Sequence, residues 1–402
     1  MKKVVSILAT LSLLLPSCSK ENPPVPEKPY DRVLVLYACG FVNLAGYIRN
    51  DIEELCTGSY IPEMGSRNAV LVFEHLTAGY ADYNTPQASH LIRLYKNGET
   101  VVRDTVWKTN PASTADPDIM ECVLQYVKGR FEAEHYNLIF NGHGTAWLPQ
   151  DCYNTEARTN LIESYSNGED VSPSSFGQER FRGHDYFLDI TDMAERIPMH
   201  IDNLFFDACL MGNIESLYQL RKLADNIGAS PTETQTKGFD YRNVARHLLE
   251  EKTPNPAAIC AEMHEQYKNE SGWYASNSIT LVCTSALEKL ARVTASLIDK
   301  YRSGIDALSQ DEVQTYENDE HPWFFDLEDI FIKAGADNAE LLTLAEAVNE
   351  CILYRAISPE FFHIKAEHCC GISMALPRYL SDKLTTAYKP LDWNKSTGYI
   401  VN

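Results

Sequence analysis

Cys209 and His143 are the residues whose types and settings could carry nucleophilic chemistry. The run Asp202-Asn203-Leu204-Phe205-Phe206 reads as a buried strand and closes on Asp207-Ala208-Cys209. The residues that follow, Leu210-Met211-Gly212-Asn213-Ile214-Glu215, read as the opening of a helix. A thiol where a strand turns into a helix meets the positive end of the helix dipole and free backbone N–H groups, and both favour the thiolate. Upstream, Tyr136-Asn137-Leu138-Ile139-Phe140 runs into Asn141-Gly142-His143-Gly144 and delivers an imidazole between two glycines. A cysteine alone usually only packs, being among the most buried residue types. Paired glycines, however, leave room for a substrate backbone to approach, which a core histidine does not need. The pair predicts a cysteine–histidine hydrolase.

The elements that must position these residues alternate between strand and helix. Residues 32–38 and 69–73 read as buried strands, with helical spacing around Asn50-Asp51-Ile52-Glu53-Glu54-Leu55 between them. Residues 91–96 and 100–106 read as a hairpin turning on Asn97-Gly98, since Asn-Gly supplies the positive φ angles of a tight turn. Helical spacing over 118–131 precedes the His143 strand, and a short helix over 189–196 precedes the Cys209 strand. This alternation predicts an α/β fold, a mostly parallel central sheet with helices on both faces, in which ligands bind beyond the carboxyl ends of the strands. From about Tyr241 onward the chain is rich in helical spacing, over 247–267, 286–301 and 338–355, with a strand over 279–284. The organisation expected is a leader over 1–17, a tether over 18–30, a catalytic core over 31–240 and a largely helical part with completing strands over 241–402.

The 402 residues exceed the size at which one core usually stops growing, and 44% hydrophobic with 23% charged content is ordinary for a globular protein. A formal net charge of -21 argues against nucleic acid as a partner, because phosphate binding depends on clustered Lys and Arg. Met1-Lys2-Lys3 followed by a short apolar stretch to Leu15 is a targeting signal. Leu15-Pro16-Ser17-Cys18 resembles the lipobox of bacterial lipoproteins, in which Cys18 becomes lipidated. An ordinary secretory signal is the alternative, and both place the mature protein outside the cytoplasm. The lipid is then its sole link to the membrane, through an extended tether with Pro23, Pro24 and Pro26. The 11 cysteines lack the spacing of a disulfide framework or zinc ribbon, and His363, His368, Cys369 and Cys370 make a poor tetrahedral set.

Several strings together carry a family resemblance: residues 138–144 with Trp147, residues 206–212 with Glu215, Ser230-Pro231-Thr232-Glu233, Gly238-Phe239-Asp240-Tyr241, Asp326-Leu327, Gly371-Ile372-Ser373 and Leu376-Pro377. In this order they resemble the clostripain family of cysteine peptidases, in the clan of caspases, legumains and gingipains. One departure is Thr145-Ala146, where relatives often have more glycine. The resemblance implies a caspase-like sheet and a dyad in which Cys209 attacks the scissile carbonyl and His143 protonates the leaving amine. It implies backbone N–H groups of Gly144 and Cys209 as oxyanion donors, and Asp207 in an S1 pocket that selects Arg, and possibly Lys, before the cut. The rival reading of Asp207 is a helix cap. Ser230, Thr232 and Glu233 are implied as a pocket wall, with no third triad member tied to His143 by a motif. No cofactor is required; calcium, on which some relatives depend, stays open, although no calcium-loop motif is present.

The polar stretch between Trp147 and His184 reads as a surface loop. Relatives cut themselves in this interval, and for an Arg-specific enzyme Arg158, Arg180 and Arg182 are the candidates, Arg158 first; an uncut loop is the alternative. Two rival functions stand beside the endopeptidase reading: a catalytically silent binding lipoprotein of the same fold, and a cysteine amidase or transpeptidase acting on envelope peptides.

Overall fold

The computed structural model describes residues 29–40, 44–79, 82–86, 88–110, 113–149, 179–181, 184–319 and 322–401. The expected leader, Cys18, Arg158 and Arg182 lie outside the described residues.

Strand β1 (Tyr30–Gly40) shows why the chain folds as a layered sheet: Val33, Val35 and Tyr37 enter one apolar cluster, while Leu34, Leu36 and Ala38 enter another on the opposite face. Helix α1 (Ala45–Cys56) turns Ile48, Ile52 and Leu55 into the second cluster. Strand β2 (Asn68–Gly79), with the short β3 (Asp82–Pro86) on it, leads to the hairpin β4 (His90–Asn97) and β5 (Thr100–Lys108). Asn97 pairs with Thr100, so the turn is Gly98-Glu99, one residue later than the expected Asn97-Gly98. Helix α2 (Pro117–Arg130) starts where the Asp116 side chain accepts from Asp118 N, with Pro117 in the first turn, and β6 (Ala133–Asn141) follows. After the small hairpin β7 (Glu179–Phe181) and β8 (His184–Tyr186) come α3 (Ile190–Arg196), β9 (Ile201–Asp207), α4 (Ile214–Gln219) and β10 (Ala224–Ala229). Arg180 lies in β7, opposite Asp185.

The helix expected over 247–267 is broken: a π-helical turn at Arg246–Glu250 is separated from α5 (Pro256–Glu265) by a stretch holding Pro254, because proline cannot continue a helical ladder. Beyond lie β11 (Ser278–Cys283), α6 (Leu287–Ala307), β12 (Phe324–Asp326), α7 (Leu327–Lys333) and α8 (Asn338–Cys351). The expected helix over 338–355 ends at Cys351, and Ile352–Ile357 becomes β13 because it pairs with β11. The hairpin β14 (Glu360–Phe361) and β15 (Ile364–Lys365), then β16 (Ser373–Ala375), α9 (Asp382–Tyr388) and α10 (Asp392–Thr397), complete the described chain.

Ten strands form one sheet in the order β13-β11-β10-β9-β6-β1-β2-β4-β5, with β3 on β2. Its centre, from β2 through β1, β6 and β9 to β10, is parallel, and the outer strands are antiparallel. Residues of α1 and α5 pack on one face, and residues of α2, α3, α4, α6, α7 and α8 on the other. The chain after residue 240 contributes β11 and β13 to the sheet and side chains to both clusters.

Glu215 ties the later chain to the first half. Its Oε1 accepts from Ala375 N and from Tyr388 OH, each at 2.9 Å, while its buried Oε2 meets no hydrogen-bond partner among the described residues. Burial raises its pKa to about 7. Because the folded value lies above the unfolded one, folding takes up a proton between them. That contribution is full below about pH 4.5, is lost as pH rises through 7, and is worth about 3 kcal/mol. Glu215→Gln is therefore expected to gain about 3 kcal/mol on the wild type between pH 4.5 and 8. Urea denaturation at several pH values checks this, and a difference that does not change with pH would refute it.

Candidate active site

Strands β6 and β9 are parallel neighbours, with Asn141 in register with Asp207. His143 and Cys209 each lie two residues beyond that last pair, so equal strand lengths carry both to the same carboxyl edge. They line one cleft together with Asp51, Asn141, Asp207 and Gly238, with Thr234 and Gln235 on its wall and Leu44 and Tyr47 also lining it.

Cys209 does not sit at the start of a helix. Strand β9 ends at Asp207 and α4 starts at Ile214, with the Asn213 side chain accepting from Ser216 N at 2.8 Å. The residues between form a pinned loop. Gly142 N donates to Asp207 O (3.2 Å), Leu210 N to Thr232 O (2.8 Å) and Gly212 N to Ser230 O (2.8 Å), while Ser373 N donates to Gly212 O (3.1 Å). Leu210 holds φ 62, a left-handed conformation uncommon for a branched side chain, directly after the thiol. In place of the expected helix dipole, the thiol has a backbone donor in Thr234 N, at 3.3 Å from Sγ.

The electrostatics follow from this. Desolvation pushes the Cys209 thiol up to about 12; the Thr234 N–H opposes the rise and the Glu233 and Asp207 carboxylates add to it. Burial pushes His143 down to about 4. The resting site is thus a neutral thiol and a neutral imidazole, rather than the thiolate expected from the sequence.

Gly144 lies against the backbone of Cys209. A Cβ there would come within 2.8 Å of Ala208 Cβ and closer still to the carbonyl oxygen of Cys209. Gly144→Ala must push the loops carrying His143 and Cys209 apart, and in a reacting pair a misplacement of that size costs about 100-fold in rate. The expected outcome is a fall in kcat of about that size with KM little changed; wild-type kcat would refute the reading.

Asp207 does not cap α4. Its Oδ2 accepts from Phe239 N (3.0 Å) and Tyr241 OH (2.9 Å), and Gly238 (φ +57) crosses so close to this carboxylate that a side chain there would collide with it. A second carboxylate, Asp51, faces the same cleft and was not singled out from the sequence. Asn141 Nδ2 donates to Asp51 Oδ2 (2.7 Å) and to Tyr241 OH (2.9 Å), joining the two acids through Asn141 and Tyr241. Burial raises Asp207 to about 6; burial and then repulsion from Asp207 hold Asp51 well above the carboxylate range. The overlooked signal was an aspartate among Ile48, Ile52 and Leu55 on the apolar stripe of α1.

Ser230, Thr232 and Glu233 do not line this cleft. The Ser278 hydroxyl lies 2.7 Å from Ser230 Oγ and 2.6 Å from Thr232 Oγ1, so these side chains form a buried cluster that fixes the segment receiving the Cys209 loop. Glu233 Oε1 accepts from Asn318 N at 3.4 Å, on the side of the 315–318 loop. The segment's contribution to the cleft comes from the next residues, 234–236 and 238. His363, His368, Cys369 and Cys370 form no metal set, and among the described residues no group of three or more His, Cys, Asp or Glu is placed to hold an ion.

The fold and the cleft define an α/β protein with a cysteine and a histidine at the carboxyl edge of its sheet. The chain belongs to the clostripain family, whose model matches residues 36–324. It is similar to clostripain of Hathewaya histolytica, 27% identical over 245 residues, which cover 56% of this chain and 43% of that protein. The chain therefore spans less than half the length of this curated relative. Two solved structures share its fold. One is an inactive zymogen protease from Parabacteroides distasonis (TM-score 0.73, 22% identity, covering 92% of this chain and 99% of that one). The other is a secreted cysteine protease from Bacteroides thetaiotaomicron in complex with an irreversible peptide inhibitor (TM-score 0.74, 20% identity, covering 92% of this chain and 100% of that one).

Proposed function

We propose that this chain is an extracytoplasmic cysteine endopeptidase that cuts peptide bonds after Arg, and after Lys more slowly, and is held to a membrane by a lipid on Cys18. One observation carries the reading: a cysteine and a histidine from adjacent strand ends share a cleft with two buried carboxylates. Family membership supports the peptidase class.

The neutral resting pair sets the order of events. As Cys209 Sγ bonds to the scissile carbonyl carbon, its proton passes to His143. The C–N bond then breaks and the imidazolium returns that proton to the leaving amine. Water hydrolyses the thioester, with His143 taking a proton and giving it to Sγ. The N–H groups of Gly144 and Cys209 stabilise the oxyanion, each worth roughly 3 to 4 kcal/mol in a well-formed hole. The positive P1 side chain is balanced by Asp207, with Asp51 as the second acid of the pocket. A guanidinium can engage both carboxylates, whereas an ammonium is a point charge, which favours Arg.

A peptide library screened with the purified chain tests the reading: cleavage after Arg above Lys and above all neutral residues is expected. Cutting with no basic preference would remove the role given to Asp207, and ligated products in the presence of amine acceptors would favour a transpeptidase. For self-processing at Arg158, Arg180 or Arg182, intact-mass analysis of the wild type beside Cys209→Ala is decisive: a single uncut chain in both would end that proposal. Detergent-phase partition lost in Cys18→Ala would support the anchor, and partition unchanged would sink it.

A further inference from the structure

The wall of the cleft continues into an aromatic ledge. Gln235, which lines the cleft, donates from Nε2 to the carbonyl of Trp273 at 2.7 Å. The Trp273 indole packs edge-on to the Phe362 ring at 4.8 Å and lies 5.3 Å from the His363 ring. Beside it Tyr274 is 63% exposed, among the most exposed large apolar side chains described. Isolated exposed aromatics are ordinary, but this one follows directly in sequence on Trp273, whose backbone is tied to the cleft wall through Gln235.

A second observation is independent of exposure. Phe361 pairs with Ile364, so Phe362-His363 is the two-residue turn of the β14–β15 hairpin, and both residues hold positive φ, 47° and 69°. Such a turn favours Asn-Gly or Gly-Gly, and aromatic side chains rarely adopt it. Backbone strain persists where the surroundings impose it and clusters at ligand clamps. Here the strained turn, anchored by Phe362 N donating to Ser276 Oγ at 2.7 Å, presses two rings on Trp273.

We infer that Trp273, Tyr274 and His363 form a subsite for an apolar side chain of the peptide substrate, at P2 to P4 on the acyl side of the scissile bond. The inference rests on the peptidase reading and extends it. His143 must face the departing amine, so the acyl part of the substrate runs past the wall that carries Thr234 and Gln235. From that wall the ledge is one side chain away. The occupant is apolar because the surface offered is aromatic; a peptide fits because Gln235 lines the cleft proposed to take P1 and bonds to the backbone of the ledge.

Fluorogenic tetrapeptides with Arg at P1 and varied P2 to P4 test this with the wild type, Tyr274→Ala and Trp273→Ala, and with Leu342→Ala, an exposed position on α8, as control. At one of these positions the wild type is expected to prefer aromatic or branched aliphatic residues over glycine by about 10-fold in kcat/KM. Tyr274→Ala and Trp273→Ala should bring that ratio to within about twofold, chiefly through KM, and Leu342→Ala should keep it. Tyr274 is too exposed for its truncation to unfold the chain, so a misfolded Trp273 variant leaves the test intact. Preference retained in Tyr274→Ala, or no preference at P2 to P4 while Arg peptides are cut, would overturn the subsite. If no Arg peptide is cut, the P1 reading fails by itself. A library free at all positions then decides the subsite by the same ratios, and one that is not cut at all overturns both.

Discussion

Cys209→Ala is expected to lower peptide hydrolysis by on the order of 10⁴ to 10⁶, with His143→Ala in the same range and the double variant no worse than either. Non-additivity of this kind marks two groups that act as one unit. The pH dependence carries the finer expectation. With the thiol near 12 and the imidazole near 4, the Cys209–His143 pair keeps one protonation state across most of the accessible range. For a substrate with an uncharged P1 residue, kcat/KM should therefore stay flat from about pH 5 to 9. Iodoacetamide, which needs the thiolate, should label Cys209 more slowly than the exposed Cys122 at pH 8. A bell-shaped profile centred near neutrality, or preferential labelling of Cys209, would show a resting thiolate–imidazolium pair and overturn this account.

Asp207→Asn should cost Arg substrates roughly 10² to 10⁴ in kcat/KM, since removing one partner from a buried charge pair costs about 3 to 5 kcal/mol. The acid limb gives a separate check. Asp207, proposed to balance the P1 cation, is raised to about 6 in the free protein, so kcat/KM for Arg peptides should fall as pH drops below 6. In kcat the limb should move lower, because a bound cation favours the carboxylate. Neither limb should survive in Asp207→Asn. An unchanged Arg preference in that variant, with the limb still at 6, would transfer the role to Asp51.

The sequence was most readable where periodicity is strong. The alternation along β1, the run into β9 and the glycines around His143 predicted a parallel sheet with both reactive side chains at its carboxyl edge, and the sheet has that form. What escaped depends on contacts distant in sequence. Asp51 and Tyr241 are 190 positions apart yet meet through Asn141, and no local pattern announces such a meeting. Leu210 and Met211 favour a helix, but Gly212 does not and Asn213 caps α4, and bonds to Thr232, Ser230 and Ser373 hold 210–213 as a loop ahead of it. Ser230 and Thr232 carry hydroxyls that suit a pocket wall, and Ser278, 46 to 48 positions away, draws them inward.

The side-by-side placement of β6 and β9 bears on what the chain can tolerate. His143 precedes residues 150–178 and Cys209 follows them, while the strands that carry the two residues pair directly from Asn137 with Asn203 to Asn141 with Asp207. A break within 150–178 would separate the halves covalently without removing any rung of that ladder. The product would be a complementing pair of fragments, the first supplying β1 to β6 and the second the rest of the sheet. Joined by parallel pairing and two shared apolar layers, they would dissociate only when the whole fold melts.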